Sequence, residues 1–201
     1  MKSMIAMPAE ERRAYLKRLY PYLKTSLVIF GSGIVIGLMA VSHFPLLAQH
    51  FESSVVGFVK IFHGLSKLEL AAAIFLNNTL KTVLAILFGS LFGIIPAVFL
   101  LGNGIALGVI FSLSAQTRGL WLSLLSIVPH GLLELPAVFL GTSIGLMVGS
   151  RVMKQFFSRP ETTIGSELVQ GLRFFITVIL PLLFIAALVE AFLTSALVTP
   201  K

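Results

Sequence analysis

The chain has 201 residues, of which 57% are hydrophobic and 11% charged, with a formal net charge of +7 and no cysteine. That leaves too little polar surface to coat a water-soluble globule, so the chain reads as an integral membrane protein, and the absence of thiols excludes disulfides, iron–sulfur clusters and thiolate metal sites. Its basic residues flank apolar runs instead of striping a soluble domain, which points to membrane orientation and away from nucleic acid.

About two dozen polar and charged residues precede the first apolar run, unlike a cleaved signal peptide, so the N-terminus is expected to be retained. Within residues 1–24, Arg12, Arg13, Lys17 and Arg18 alternate with Tyr15, Leu16, Leu19 and Tyr20. This predicts a short amphipathic helix on the cytoplasmic face, held by its aromatics and by anionic headgroups. Residues 25–201 are expected to form a single transmembrane domain.

Five segments reach or approach the roughly 20 residues needed to cross the hydrocarbon core: 25–44, 79–101, 103–116, 129–150 and 172–196. The third is short, yet it must cross, tilted or in thinned bilayer, if the basic flanks Lys2 to Lys24 and Arg151 to Arg173 are to share one side. The resulting expectation is an all-α bundle in the cell membrane, with the N-terminus cytoplasmic and the C-terminus outside. Between the first two spans, Phe51, Val55, Phe58, Val59, Phe62 and Leu65 recur at helical spacing, which predicts an external amphipathic helix over 51–67.

Glycines stand four apart in four of the spans: Gly33 and Gly37, Gly89 and Gly93, Gly104 and Gly108, and then Gly141, Gly145 and Gly149. Small residues at this spacing let helix backbones approach where lipid supplies no hydrophobic force. Intramolecular packing is the plain reading; the Gly141 to Gly149 ladder is the candidate face for a homodimer. Pro96 and Pro136 are expected to kink their spans. Gly102, Asn103 and Gly104 read as a turn between antiparallel helices.

The chain has eight acidic residues and no aspartate, and two of the glutamates, Glu134 and Glu190, fall inside spans. Taking Pro129 as a first-turn residue puts Glu134 about 8 Å below the outer boundary, and a helix ending near Ala196 puts Glu190 about 9 Å below it. Asn77 and Asn78 would open the second span on that side, with Asn78 as a helix cap. His130 and Glu134 are four apart and share a helix face.

Three readings of this polar site stay open. A buried carboxylic acid pins helices by hydrogen bonding to His130 or an asparagine. Alternatively, Glu134, Glu190 and His130, completed by His63, hold a divalent metal such as zinc, or a proton, in an ion-handling protein. Hydrolysis by a metal-bound water is the weakest, since the paired-histidine HExxH motif is absent, and the chain is not expected to be an enzyme.

The stretch Phe75 to Gly149 carries Leu76, Asn77, Asn78, then Gly102, Asn103, Gly104, then Pro129, His130, Gly131 followed by Glu134, Leu135, Pro136, Ala137. With the tail Ile185 to Phe192, it resembles the stage II sporulation protein M family. The resemblance implies a polytopic membrane protein that anchors or scaffolds a peptidoglycan-degrading assembly, with other membrane proteins as partners and no catalytic role of its own.

Overall fold

A computed structural model describes residues 7–44, 46, 53, 64–157 and 163–198, with side chains left undescribed at 126–130, 132, 133 and 193–198. Every regular element among these residues is helical, and five stretches are long and apolar enough to cross a membrane. The external helix expected over 51–67 lies almost wholly outside the described residues.

The expected amphipathic segment and the first span form one helix, α1 (Ala9–His43). Its second half runs antiparallel to the fourth span: Tyr22 donates to Ser150, Ser26 lies 3.0 Å from Ser143, and Phe30 packs edge-on against Phe139. The first half lies along the last helical stretch in the opposite sense, with Met7 against Thr177, Glu11 against Arg173 and Arg18 against Glu167. Pro21, which removes the bond to the Lys17 carbonyl, stands between the two halves.

Helix α2 (Lys67–Leu87) opens on a capping box. Ser66 Oγ accepts from the Glu69 N–H, and the Glu69 carboxylate accepts from the Ser66 N–H at 2.8 Å. After a 3₁₀ turn at Phe88–Ser90, the chain reverses through Phe92 and Gly93, both with positive φ (55° and 73°), into α3 (Ile94–Arg118). The second and third crossings thus differ from the sequence expectation: the reversal falls at residues 91–93, and Gly102, Asn103 and Gly104 are helical. Asn103 donates to the Phe99 carbonyl, which occupies its side chain within the helix. Pro96 lies in the first turn of α3, where its missing N–H has no intrahelical acceptor to lose, so it begins a helix and does not kink one.

Gly119, at φ 82°, separates α3 from the 38-residue α4 (Leu120–Phe157). Pro129 is therefore interior to α4 and does not start it. The last stretch comprises α5 (Ile164–Phe174), a π turn at Phe175–Ile179, and α6 (Leu180–Val198). Pro181, which cannot donate to the Thr177 carbonyl, stands two residues past the π turn that accommodates it.

The most extensive contact in the bundle joins α1 to α3. These helices run side by side in the same sense, backbone against backbone. A Cβ on Gly33 would lie 2.5 Å from the Leu101 carbonyl oxygen, and one on Gly104 would collide with the Phe30 carbonyl. Helix α4 is central. Its Gly141 faces the Thr82 methyl, Gly145 faces Ala85 and Gly89, and Gly149 faces Gly93. The glycines of this ladder thus face partners inside the chain. Ile86, Ile144, Met147, Val148, Phe174 and Ile179 fill the core around it.

Candidate functional site

Glu134 is 3% exposed, on the face of α4 turned into the bundle. Close packing at Gly141 brings α2 against α4, and the half-buried Lys81, next to Thr82 on α2, acts electrostatically on the Glu134 carboxylate. An acid and a base from separate spans thus share one region. Their attraction offsets part of the cost of holding either within a membrane helix. The Lys81 stem borders a groove lined by Leu84, Phe88, Leu91, Ile95 and Phe99, so its methylenes lie on apolar surface.

The other residues expected at this site are placed less uniformly. Asn77 donates to Asn78 at 3.3 Å, and the Asn78 carbonyl accepts from Thr82, so both asparagines are interior to α2 and Asn78 caps nothing. Glu190 is half-buried on α6. It lies between Phe184, which packs edge-on against Phe75, and Phe192, whose ring carries the Lys67 ammonium 5.8 Å from its centroid. The backbone of His130 lies in α4 one turn before Glu134, while its side chain, like all of His63 and His50, falls outside the described residues. His43 ends α1, exposed and bonded to Ser42. Among the described residues no three histidine or acidic side chains converge.

The expected common depth of Glu134 and Glu190 also loses its basis. That reckoning starts α4 at Pro129, whereas the helix begins at Leu120, fourteen residues before Glu134.

A second polar cluster, at the end of the bundle that carries Ala9, is not foreseen in the sequence. Thr163 caps α5 by accepting from the Ser166 N–H, and Ile164, Glu167, Gly171 and Phe174 then fall on one face. Burial of that face takes Glu167 with it, to 0% exposure. Arg18 donates to Glu167 at 2.8 Å and to Gln170 at 2.6 Å, while Arg151 approaches the same carboxylate at 4.0 Å. Tyr15 stacks on Phe174 with centroids 5.1 Å apart, and the Arg18 guanidinium covers the Tyr15 ring at 5.2 Å. Beside them Arg173 grips Glu11 through both carboxylate oxygens, at 2.8 and 3.3 Å. Such fork-to-fork pairing fixes orientation as well as distance, and here it fastens the first half of α1 to α5. The signal for Glu167 is present in the sequence as an acid at apolar spacing.

With this geometry in view, comparison with known proteins is informative. The family described as Stage II sporulation protein M matches residues 26–195. The chain is also similar to the "Uncharacterized protein MJ0793" of Methanocaldococcus jannaschii, at 23% identity over 176 residues, covering 87% of this chain and 94% of that one. No solved structure matches.

Proposed function

The chain belongs to the stage II sporulation protein M family, and from that premise we propose that this membrane protein is a non-enzymatic scaffold or anchor, with its N-terminus cytoplasmic and its C-terminus outside. The observation that supports this reading is the backbone-to-backbone seating of α1 on α3 and of α2 on α4 at glycines, together with the ionic fastening of α1 to α5. Helices in contact at that range resist sliding, which suits a body that presents fixed surfaces to other membrane proteins. Because the Gly141 to Gly149 ladder is used internally, the reading takes no dimer through it.

The orientation draws on the basic residues Arg12, Arg13, Lys17, Arg18, Arg151, Lys154 and Arg173, which gather at one end of the bundle. An alternative reading, ion or metal handling through Glu134, Glu190 and His130, draws on the intramembrane pair of Glu134 and Lys81. That pair also counts against it. A cation bound at Glu134 would have Lys81 as a neighbour of like charge, which would weaken its hold.

The test combines two measurements on the intact protein. Crosslinking in native membranes is expected to co-isolate another membrane protein in stoichiometric amount. Purified protein is expected to carry only traces of zinc and, in liposomes, to pass no divalent cation above a protein-free control. Saturable cation uptake that Glu134→Gln abolishes would replace the scaffold by a transporter.

A further inference from the structure

The first half of α1 has two charged faces with different fates. On the inner face Glu11 and Arg18 are paired with Arg173 and Glu167. On the outer face Arg13, Leu16, Lys17, Tyr20 and Lys24 are all exposed at spacings of three and four. None of these three cations forms an ion pair among the described residues, and Lys24 instead lies 4.7 Å over the Tyr20 ring. Leu16, Lys17 and Tyr20 line a shallow depression on this face.

The exposed face changes character within one turn after Lys24. Leu27, Val28, Val35, Ile36 and Met39 follow, each at least 46% exposed, as acyl-chain contact requires. A boundary between headgroups and hydrocarbon beside Lys24 would require such a transition. The first half of α1 is fastened to the last stretch through Met7, Glu11 and Arg18, which leaves Arg13, Lys17 and Tyr20 exposed on its other side.

We propose that this outer stripe is a binding surface for anionic phospholipid headgroups. Lys17 and Lys24 take the phosphates, Arg13 extends the positive field, and Leu16 and Tyr20 insert between the lipids. The charge complements the anionic lipid, and the alternation of cations with an aromatic and a leucine is the chemistry of an interfacial helix face. This inference does not depend on the scaffold reading.

The experiment uses the full chain in detergent, with equal amounts of phosphatidylglycerol and phosphatidylcholine of the same acyl length, and native mass spectrometry to count the lipids retained. The parent is expected to keep phosphatidylglycerol in preference. Each neutralised cation is expected to reduce that preference by about fivefold, so Arg13→Gln/Lys17→Gln/Lys24→Gln loses most of it. Lys17→Arg/Lys24→Arg is expected to keep it. The melting temperature, read on every variant, separates lost binding from lost folding, and single Lys17→Gln serves if the triple variant is unstable. Equal retention of the two lipids by the parent, or an undiminished preference in folded variants, would overturn the proposal and leave the stripe to an acidic protein.

Discussion

Arg18 Nη1 lies 2.8 Å from Oε1 of Glu167, and the two are unequal partners: the carboxylate side chain has no exposure, whereas the guanidinium side chain keeps 36%. Removing the arginine strands a buried charge, with Arg151 only at 4.0 Å to compensate it. Neutralising the acid instead frees two arginines that water can reach. Arg18→Ala is therefore expected to destabilise by about 3 kcal/mol and Glu167→Gln by about 1 kcal/mol, with the double variant no worse than Arg18→Ala alone. Unfolding in detergent measures all three, and a larger loss for Glu167→Gln would refute the assignment.

Glycines that look alike in sequence are expected to respond oppositely to a methyl group. Gly31→Ala and Gly102→Ala place a Cβ where nothing lies within 4 Å, and are expected to be neutral or slightly stabilising. Gly33→Ala and Gly104→Ala drive a Cβ into the backbone of the facing helix and should cost about 1–3 kcal/mol each. Melting temperatures of the four variants decide it, and equal responses would mean that α1 and α3 are not in contact.

Lys81 and Glu134 should be coupled. Lys81→Met leaves a carboxylate in the bundle without that neighbouring ammonium, so it is expected to cost more than Lys81→Met/Glu134→Gln, in which both charges are gone. A double-mutant cycle in detergent gives the interaction energy. Strict additivity would separate the two side chains.

Because the chain has no native cysteine, single introduced thiols are labelled without background. His63→Cys is expected to react with an impermeant maleimide in intact cells. Phe156→Cys, at a position 73% exposed, should react only after permeabilisation. The reverse pattern would invert the proposed orientation.

Hydropathy alone carries the number of crossings, since five apolar stretches cannot be buried any other way. Their limits are less legible. Gly102, Asn103 and Gly104 are the most turn-like triplet in the chain, yet Gly104 is there to admit α1 and Asn103 satisfies its amide on its own helix. The true reversal, at Phe92 and Gly93, sits inside an unbroken apolar run and shows itself through backbone dihedrals, which composition does not encode. Similarly, Pro129 outweighs Gly119 as a helix-start signal on paper, and the displaced start shifts the reckoned depth of Glu134 with it. Glu134 is legible because an acid in a span is conspicuous. Glu167 is less legible, because Arg18, which pairs with it, lies 149 residues away in the chain.

The π turn at Phe175–Ile179 sets the angular phase of everything after it. A π turn accommodates one residue more than the α-helical count, so α6 is rotated by about 100° from where uninterrupted winding would carry it. Deleting a single residue there, such as Val178, would remove the extra residue and swing Glu190 and Ala191 round the axis together. The wholly buried Ala191 would then give up its place among the helices to a different side chain, and the acid would change its neighbours without itself being altered. The C-terminal half of the last stretch is in this sense addressed from its N-terminal end.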